Sequence, residues 1–350
     1  MAAAVKAMLR AASSAAGRPF RQLPAPTRRR LGPPTRLPCI RTLWPANPAT
    51  DPVAQGFVRW MGSGRAVSCV RAAEGGGAQE VDVEMGSLYD HPELYEAAFS
   101  FRDFEAEIKF LTELYAAKGG AGQLGSVLDL GCGTGRHLIA LAQAGVAACA
   151  GVDASDKMLA HGAARAAQAG VSVSLATGDM RTYTHEGSAD MALILMGTLQ
   201  HMLTNKDALA AMGSARDALR PGGLLVLELA HPYDLWDGTL AGSEEYSEVW
   251  DSDLGGGRKL YIEWGREGDP FDGLTQVLER TVCATITADG QHERSMLEVI
   301  DMRQFSMQEL VLMAQLAGLE VVDAYGEMNM AIAVDDDEAY RLVMCLRKPV

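Results

Sequence analysis

Three groups of residues in this chain have the types and spacing to do chemistry. The first is a glycine-rich turn, Gly131-Cys132-Gly133-Thr134-Gly135, directly after the apolar run Val127, Leu128 and Leu130. Glycines in such a turn permit positive φ and let backbone N–H groups approach a ligand closely. The second is a set of acids at the ends of apolar runs: Asp129, Asp153 and Asp179. A carboxylate 22 residues after the first glycine, as Asp153 is, suits the acceptance of hydrogen bonds from ribose hydroxyls. The third is a pair of imidazoles that also follow apolar runs, His201 and His231. Their ordinary pKa suits a general base at neutral pH, with His201 the first candidate. Together these groups describe a cofactor cradle with a proton acceptor nearby.

The elements that must position them follow from periodicity. VLDLGCGTGRHLIALA reads as a strand over 126–130, a turn, and a helix over 136–144 that stops at Gly145. Strand 146–152 ends at Asp153, and helix 155–169 opens on Ser155, a good N-cap. Strands 171–176 and 189–196 follow, then helix 204–219 opening on Thr204-x-x-Asp207, the turn Arg220-Pro221-Gly222-Gly223, and strand 224–229. Upstream, Phe104, Ile108, Leu111 and Tyr115 form one face of a helix over about 102–117. This alternation argues for an α/β domain, a parallel sheet covered by helices on both faces. After His231 the pattern changes. Residues 232–257 read as irregular, whereas 258–264, 275–287 and 294–303 read as antiparallel strands. A helix over 306–317 with the capping box Ser306-x-x-Glu309, then strands 319–325 and 340–347, complete one domain with an inserted β segment at 232–303.

Charge divides the chain unevenly. Residues 1–72 hold twelve Lys or Arg against a single acid, Asp51, and the remainder holds nineteen against forty-four. The basic, Ala-, Pro- and Ser-rich first part is expected to be an organelle transit peptide cut near Ala72-Ala73. The expected destination is the chloroplast stroma, with the mitochondrion as the alternative. Residues 73–85 read as a flexible linker, which leaves 86–350 as the domain. Its acidity argues against nucleic acid as a partner. No apolar run approaches the roughly 20 residues of a membrane-spanning helix. The six cysteines and seven histidines show no metal-ligand spacing, so no metal is expected.

The glycine turn alone fits two cofactor classes, dinucleotides and S-adenosylmethionine. A dinucleotide fingerprint needs its third glycine at 136, and that residue is Arg136. The ordered motifs VLDLGCGTG, GVDAS, GDM, ADMALILMG and LRPGGLLVLEL resemble those of the class I S-adenosylmethionine-dependent methyltransferases, over about residues 88–347. The resemblance implies a Rossmann-like seven-stranded sheet of order 3-2-1-4-5-7-6 whose last strand is antiparallel. It also implies roles for residues. The backbone of Gly131 to Gly135, Cys132 and Thr134 included, would approach the methionine part of the cofactor, with Asp129 orienting the turn. Asp153 would bind the ribose hydroxyls, and Ala154 would lie beside the adenine. Met158 would cover the ring, Asp179 would accept from the adenine amino group, and the Met180 N–H would donate to a ring nitrogen. The Met196 carbonyl would accept from the cofactor's amino group.

A narrower resemblance links Tyr89-Asp90, Tyr95, Arg102-Asp103-Phe104, CGTGRHL, GDMR and Phe305-Ser306 through Ala317-Gly318 to small-molecule N-methyltransferases, notably those that dimethylate nucleotide-linked aminosugars. In those enzymes an aromatic N-terminal segment and a β insertion close over the site, so 232–303 is expected to act as a lid. His231-Pro232 stands where they carry a Trp-rich stretch. Tyr95 is a further catalytic candidate. Tyr89 and Arg102 are candidates to hold the substrate or the cofactor carboxylate, which Arg136 and His137 could also face. The expected activity is methyl transfer to nitrogen or oxygen of a small molecule, by a monomer or homodimer. An NAD(P)-dependent oxidoreductase and a non-catalytic cofactor-binding regulator are the competing readings.

Overall fold

The computed structural model describes residues 83–119, 122–235, 248–266 and 268–350. The expected transit peptide, most of the expected linker and residues 236–247 lie outside the described residues.

The chain enters through a short strand, β1 (Val83–Met85), and a 3-10 turn over Leu88–Asp90. Helix α1 (Pro92–Ala98) follows with proline in its first turn, where the missing N–H costs nothing. Helix α2 (Phe104–Lys118) is capped by Asp103, whose side chain accepts the Ala106 N–H. Then come β2 (Ser126–Leu130), α3 (Arg136–Gln143), β3 (Ala148–Asp153), α4 (Asp156–Ala169), β4 (Ser174–Thr177), β5 (Ala189–Ile194), α5 (Asn205–Ala218) and β6 (Leu219–Ala230). The caps read from sequence are in place. Ser155 accepts from the Met158 N–H and Thr204 from the Asp207 N–H. The remainder is β7 (Glu248–Gly255), β8 (Arg258–Trp264), β9 (Phe271–Asp272), β10 (Val277–Ala288), β11 (Gln291–Arg303), α6 (Met307–Leu316), β12 (Glu320–Tyr325) and β13 (Arg341–Arg347). Helix α6 opens on a complete Ser306/Glu309 capping box.

Two sheets result. The larger has seven strands in the order β4-β3-β2-β5-β6-β13-β12. β2 to β6 are parallel, and β13 runs antiparallel to both β6 and β12. Successive residues of its strands face opposite layers. Leu128, Leu130, Leu225 and Leu227 pack toward α5 and α6. Val127, Met191, Leu193 and Val226 pack toward α2 and α3. Each such leucine, fully buried, contributes about 1.5–3 kcal/mol relative to exposure. The smaller sheet runs β1-β11-β10-β8-β7, with β9 on β10. All its pairs are antiparallel except β1 on β11. Its inner face packs on the N-terminal segment, with Leu88, Leu94 and Ala98 against Leu260, Ile262, Ala284, Ile286 and Met296. The Trp250 indole donates to the Ala98 carbonyl at 2.6 Å.

Three expectations need correction. Val83–Met85 is not linker, since it pairs with Ser295–Leu297. The segment 232–257 is not wholly irregular: Glu248–Gly255 is an edge strand. Its alternation was hidden because the inward face, Trp250, Ser252 and Leu254, is interrupted by a buried serine while Val249 points outward. The Arg220–Gly223 stretch lies within β6. The pairing jumps from Ala189 with Leu219 to Met191 with Leu224, so the extra residues form a bulge with Gly222 at φ +77°. Among the described residues, no helix is long and apolar enough to cross a membrane.

Candidate active site

The glycine turn sits at the carboxyl end of β2, between β3 and β5. The Gly131 and Cys132 N–H groups donate to the Val152 carbonyl at 2.8 and 3.0 Å. The Gly135 N–H closes the turn on the Cys132 carbonyl at 2.8 Å. Gly131, Gly133 and Gly135 hold φ of +76°, +55° and +68°. At Gly131 this is obligatory twice over, because a Cβ there would meet Thr198 Cγ2 at 2.3 Å. Asp153 faces the turn. One carboxylate oxygen accepts the Gly133 N–H at 2.7 Å and the other the Ser155 N–H at 2.8 Å. Ala154 beside it is exposed, and Met158 is buried with its methyl near Gly133.

A cavity of about 40 Å³ lies over the turn, bounded by Asp129, Gly131 to Thr134, Arg136, His137, Met196 and Thr198, and closed by Tyr95, Phe99 and Phe104. Arg136 stacks on the Phe104 ring at 3.9 Å and donates to the Glu96 carbonyl at 3.2 Å. Asp129 is 3% exposed. Burial pushes its carboxyl up to about 7; the Asp153 charge adds to this and His137 opposes it. At the next strand end, Asp179 is paired with the Arg181 guanidinium, which lowers its pKa, and Arg181 also reaches Asp207 at 2.9 Å. Met180 packs into the core with Val152.

Met196, two residues beyond β5, sits in the left-handed region at φ +55°. Its N–H donates to Glu228 Oε2 at 2.8 Å, and the Gly197 N–H donates to the Glu228 carbonyl at 3.1 Å. The Tyr95 hydroxyl reaches Met196 Sδ at 3.9 Å. Glu228 is itself buried, which alone would raise its pKa. The Arg102 and Arg341 charges outweigh that and hold it down at about 2. Arg102 grips Glu228 through both terminal nitrogens, at 2.9 and 3.1 Å, and also meets Glu107 at 2.7 Å. Glu107 in turn meets His137 Nε2 at 2.9 Å, and Arg341 joins Glu228 to Glu327. This corrects the reading of Arg102 as a free cation for substrate or cofactor: its terminal nitrogens are spent on two buried carboxylates. Glu228, Glu107 and Arg341 went unread in the sequence. One signal was available, a glutamate inside the otherwise apolar strand LLVLEL, since a buried charge requires partners.

On the other side of the turn stands His201, at the end of the 3-10 turn Thr198–His201. Its Nε2 lies 3.4 Å from the Tyr89 hydroxyl, and the two rings meet edge-on at 6.1 Å. Tyr89 is 5.6 Å from Tyr95, ring to ring. Burial lowers the His201 pKa, with the Asp153 charge opposing it, so the imidazole is neutral at pH 7. Burial raises the pKa of both tyrosine hydroxyls, so each stays a donor. His231 does not join this group as a base. Its Nε2 donates to the Val334 carbonyl at 2.8 Å and its Nδ1 accepts the Tyr233 N–H at 3.3 Å, which commits both ring nitrogens.

These residues fit S-adenosylmethionine. The turn offers backbone where Gly131 leaves no room for a side chain, Asp153 presents a carboxylate to the turn, and the cavity carries acid and guanidinium groups for a zwitterionic end. Among the described residues no cluster of three or more His, Cys, Asp or Glu could hold a metal ion.

Comparison with known proteins agrees with this arrangement. Residues 127–223 match the family described as a methyltransferase domain. The dTDP-3-amino-3,4,6-trideoxy-alpha-D-glucopyranose N,N-dimethyltransferase of Streptomyces venezuelae is 28% identical over 141 residues, 40% of this chain and 56% of that protein. The dTDP-4-amino-2,3,4,6-tetradeoxy-D-glucose N,N-dimethyltransferase of Saccharopolyspora spinosa is 31% identical over 149 residues, 41% of this chain and 57% of that protein. The chain spans little more than half the length of these relatives. Among solved structures, an S-adenosylmethionine-dependent methyltransferase from Clostridium acetobutylicum superposes with a TM-score of 0.59 at 15% identity, covering 75% of this chain and 97% of that one. DesVI of Streptomyces venezuelae gives 0.58 at 22% identity, over 74% and 98%. At such identities the structures show a shared fold and nothing finer. Residues 127–223 thus match a methyltransferase-domain family, and the chain shares its fold with these solved structures, one of them an S-adenosylmethionine-dependent methyltransferase.

Proposed function

We propose that this protein transfers a methyl group from S-adenosylmethionine to an amine nitrogen of a small molecule. The observation that carries the reading is the neutral His201 imidazole against the Tyr89 hydroxyl, beside a glycine cradle faced by Asp153. The sequence alone left nitrogen and oxygen open. Nitrogen is favoured because the two curated relatives above are named as N,N-dimethyltransferases of amino sugars. An amino sugar is accordingly the first acceptor class to test.

When bound, S-adenosylmethionine supplies an electrophilic methyl carbon on a cationic sulfur. The chain's own residues do the rest. The turn from Gly131 to Gly135 and Asp153 would hold the donor, and Tyr95, Phe99 and Phe104 exclude water from the cavity. An amine arrives largely protonated at neutral pH, and the neutral His201 imidazole takes the proton that frees its lone pair. Tyr89 orients that imidazole. No covalent enzyme intermediate is needed, so alignment of acceptor and methyl carries much of the rate. We further infer import into the chloroplast stroma, with the mitochondrion as the alternative, on the basic composition of residues 1–72.

The test is incubation of the protein with methyl-labelled S-adenosylmethionine and a panel of amino sugars and simple amines, alongside calorimetry with S-adenosylhomocysteine and with NAD. Labelled N-methyl product and binding of S-adenosylhomocysteine alone are expected. Binding of NAD alone would overturn the reading in favour of an oxidoreductase. Cofactor binding with no labelled product from any amine would leave a regulator.

A further inference from the structure

We propose that Glu228 is a positioning residue for the cofactor cradle, holding Met196 in its left-handed conformation and tying the aromatic N-terminal segment to the same point. This rests on the methyl-transfer reading, because Met196 lines the cavity assigned to the methionine end of the donor.

Met196 is one of three non-glycine residues at positive φ among the described residues, and the other two, Gln276 and Asp289, lie in the smaller sheet's connections. A side chain in that region is strained and persists only where its surroundings over-determine it. Glu228 supplies that determination twice. Its side chain accepts the Met196 N–H at 2.8 Å, and its main-chain carbonyl accepts the Gly197 N–H at 3.1 Å. The two bonds fix the peptide planes on both sides of Met196. Glu228 can act as a fixed point because its own backbone lies in a central strand, with Leu227 paired to Ile194 and Glu228 paired to Val343.

The same carboxylate is the anchor of Arg102, which lies between α1 and α2. Helix α1 carries Tyr95, whose hydroxyl touches Met196 Sδ, and it leads into Phe99. The strained residue, the aromatic cover and the central strand thus meet at one side chain. A plain buried ion pair would serve stability as well, and the two roles differ in what they do to the cradle. Positioning couples Glu228 to the backbone of residue 196, whereas an ion pair is indifferent to it.

The experiment is a double-mutant cycle on S-adenosylhomocysteine affinity, read by calorimetry, with Glu228→Met, which removes the side-chain acceptor at similar size, and Met196→Gly. Glycine reaches positive φ without a Cβ penalty, so it needs less holding. In the native background Glu228→Met is expected to weaken binding at least tenfold, and in the Met196→Gly background at most threefold. Equal losses in both backgrounds, or affinity within twofold of native, would overturn the proposal and leave an ion pair. Hydrogen exchange on the unaltered protein keeps the test independent of whether the variant folds. The Met196 and Gly197 amides should exchange with the slow core, and exchange at the rate of exposed loops would also overturn it. If the unaltered protein binds no S-adenosylhomocysteine, the methyl-transfer reading itself fails, and the exchange rates alone then decide whether Glu228 holds Met196.

Discussion

The two sides of the site are built by different means. The side proposed to hold the methyl donor is mostly backbone and mostly local: Asp129 through Gly135 is one strand end and its turn, and Asp153 is the end of the neighbouring strand. The opposite side, proposed to face the acceptor, and the floor behind Met196 are side chains drawn from remote parts of the chain. Tyr89 meets His201, and Arg102 and Arg341 meet at Glu228. A backbone site constrains the sequence at fixed spacings, because only glycine tolerates the geometry. A side-chain site constrains it at positions that the fold alone brings together, so no local spacing betrays it.

That division can be broken by experiment. The largest effect is expected from His201→Asn, which should lower kcat by about 10²-fold or more, the usual contribution of a general base, with S-adenosylhomocysteine affinity nearly unchanged. Single-turnover rates and calorimetry measure the two separately, and a loss of affinity without a loss of rate would place His201 on the donor side. Asp153→Ala should do the reverse and weaken binding by roughly 1.5–3 kcal/mol, the range for hydrogen bonds to a charged group. Unchanged affinity would remove Asp153 from the cradle.

The third prediction concerns pH. Asp129 titrates at about 7 in the folded protein, against about 3.9 in an unfolded chain. A raised carboxyl pKa stabilises fully below the unfolded value, and that stabilisation is lost as pH rises through the folded one. The thermal midpoint of Asp129→Asn relative to the native chain should therefore climb between pH 4 and pH 8. A flat difference would mean that Asp129 stays ionised. The smallest effect belongs to the scaffold. Ser306→Ala removes the N-cap of α6 and should cost about 1 kcal/mol in denaturant unfolding while leaving S-adenosylhomocysteine affinity untouched.

The same contrast explains what could be read from the sequence. The caps Ser155, Thr204 and Ser306 and the turn at 131–135 were legible because each acts within a few residues of itself. The bulge at Arg220–Gly223 was mistaken for a turn because Pro-Gly-Gly serves both, and only the partner strand distinguishes them. β7 was missed because its inward face carries the polar Ser252 between Trp250 and Leu254 while the apolar Val249 faces outward, which blurs the alternation. His231 was over-read: a histidine at a strand end has the right address for a base, but its two hydrogen bonds are set by Val334 and Tyr233, and the contact with Val334 crosses more than a hundred residues. Arg102 was misassigned for the same reason, because its partner lies 126 residues away.

β1 has a consequence for how a ligand gets in. Val83–Met85 is fastened to β11, and Arg102 is fastened to Glu228, so the intervening stretch with Tyr89 and Tyr95 is a strap buckled at both ends. Releasing one buckle leaves the other in place. The freed end then remains confined near its seat at high effective concentration, so it re-docks by a local search instead of being recovered from the open chain. Loosening either buckle should therefore change how long the site stays open more than how tightly it closes.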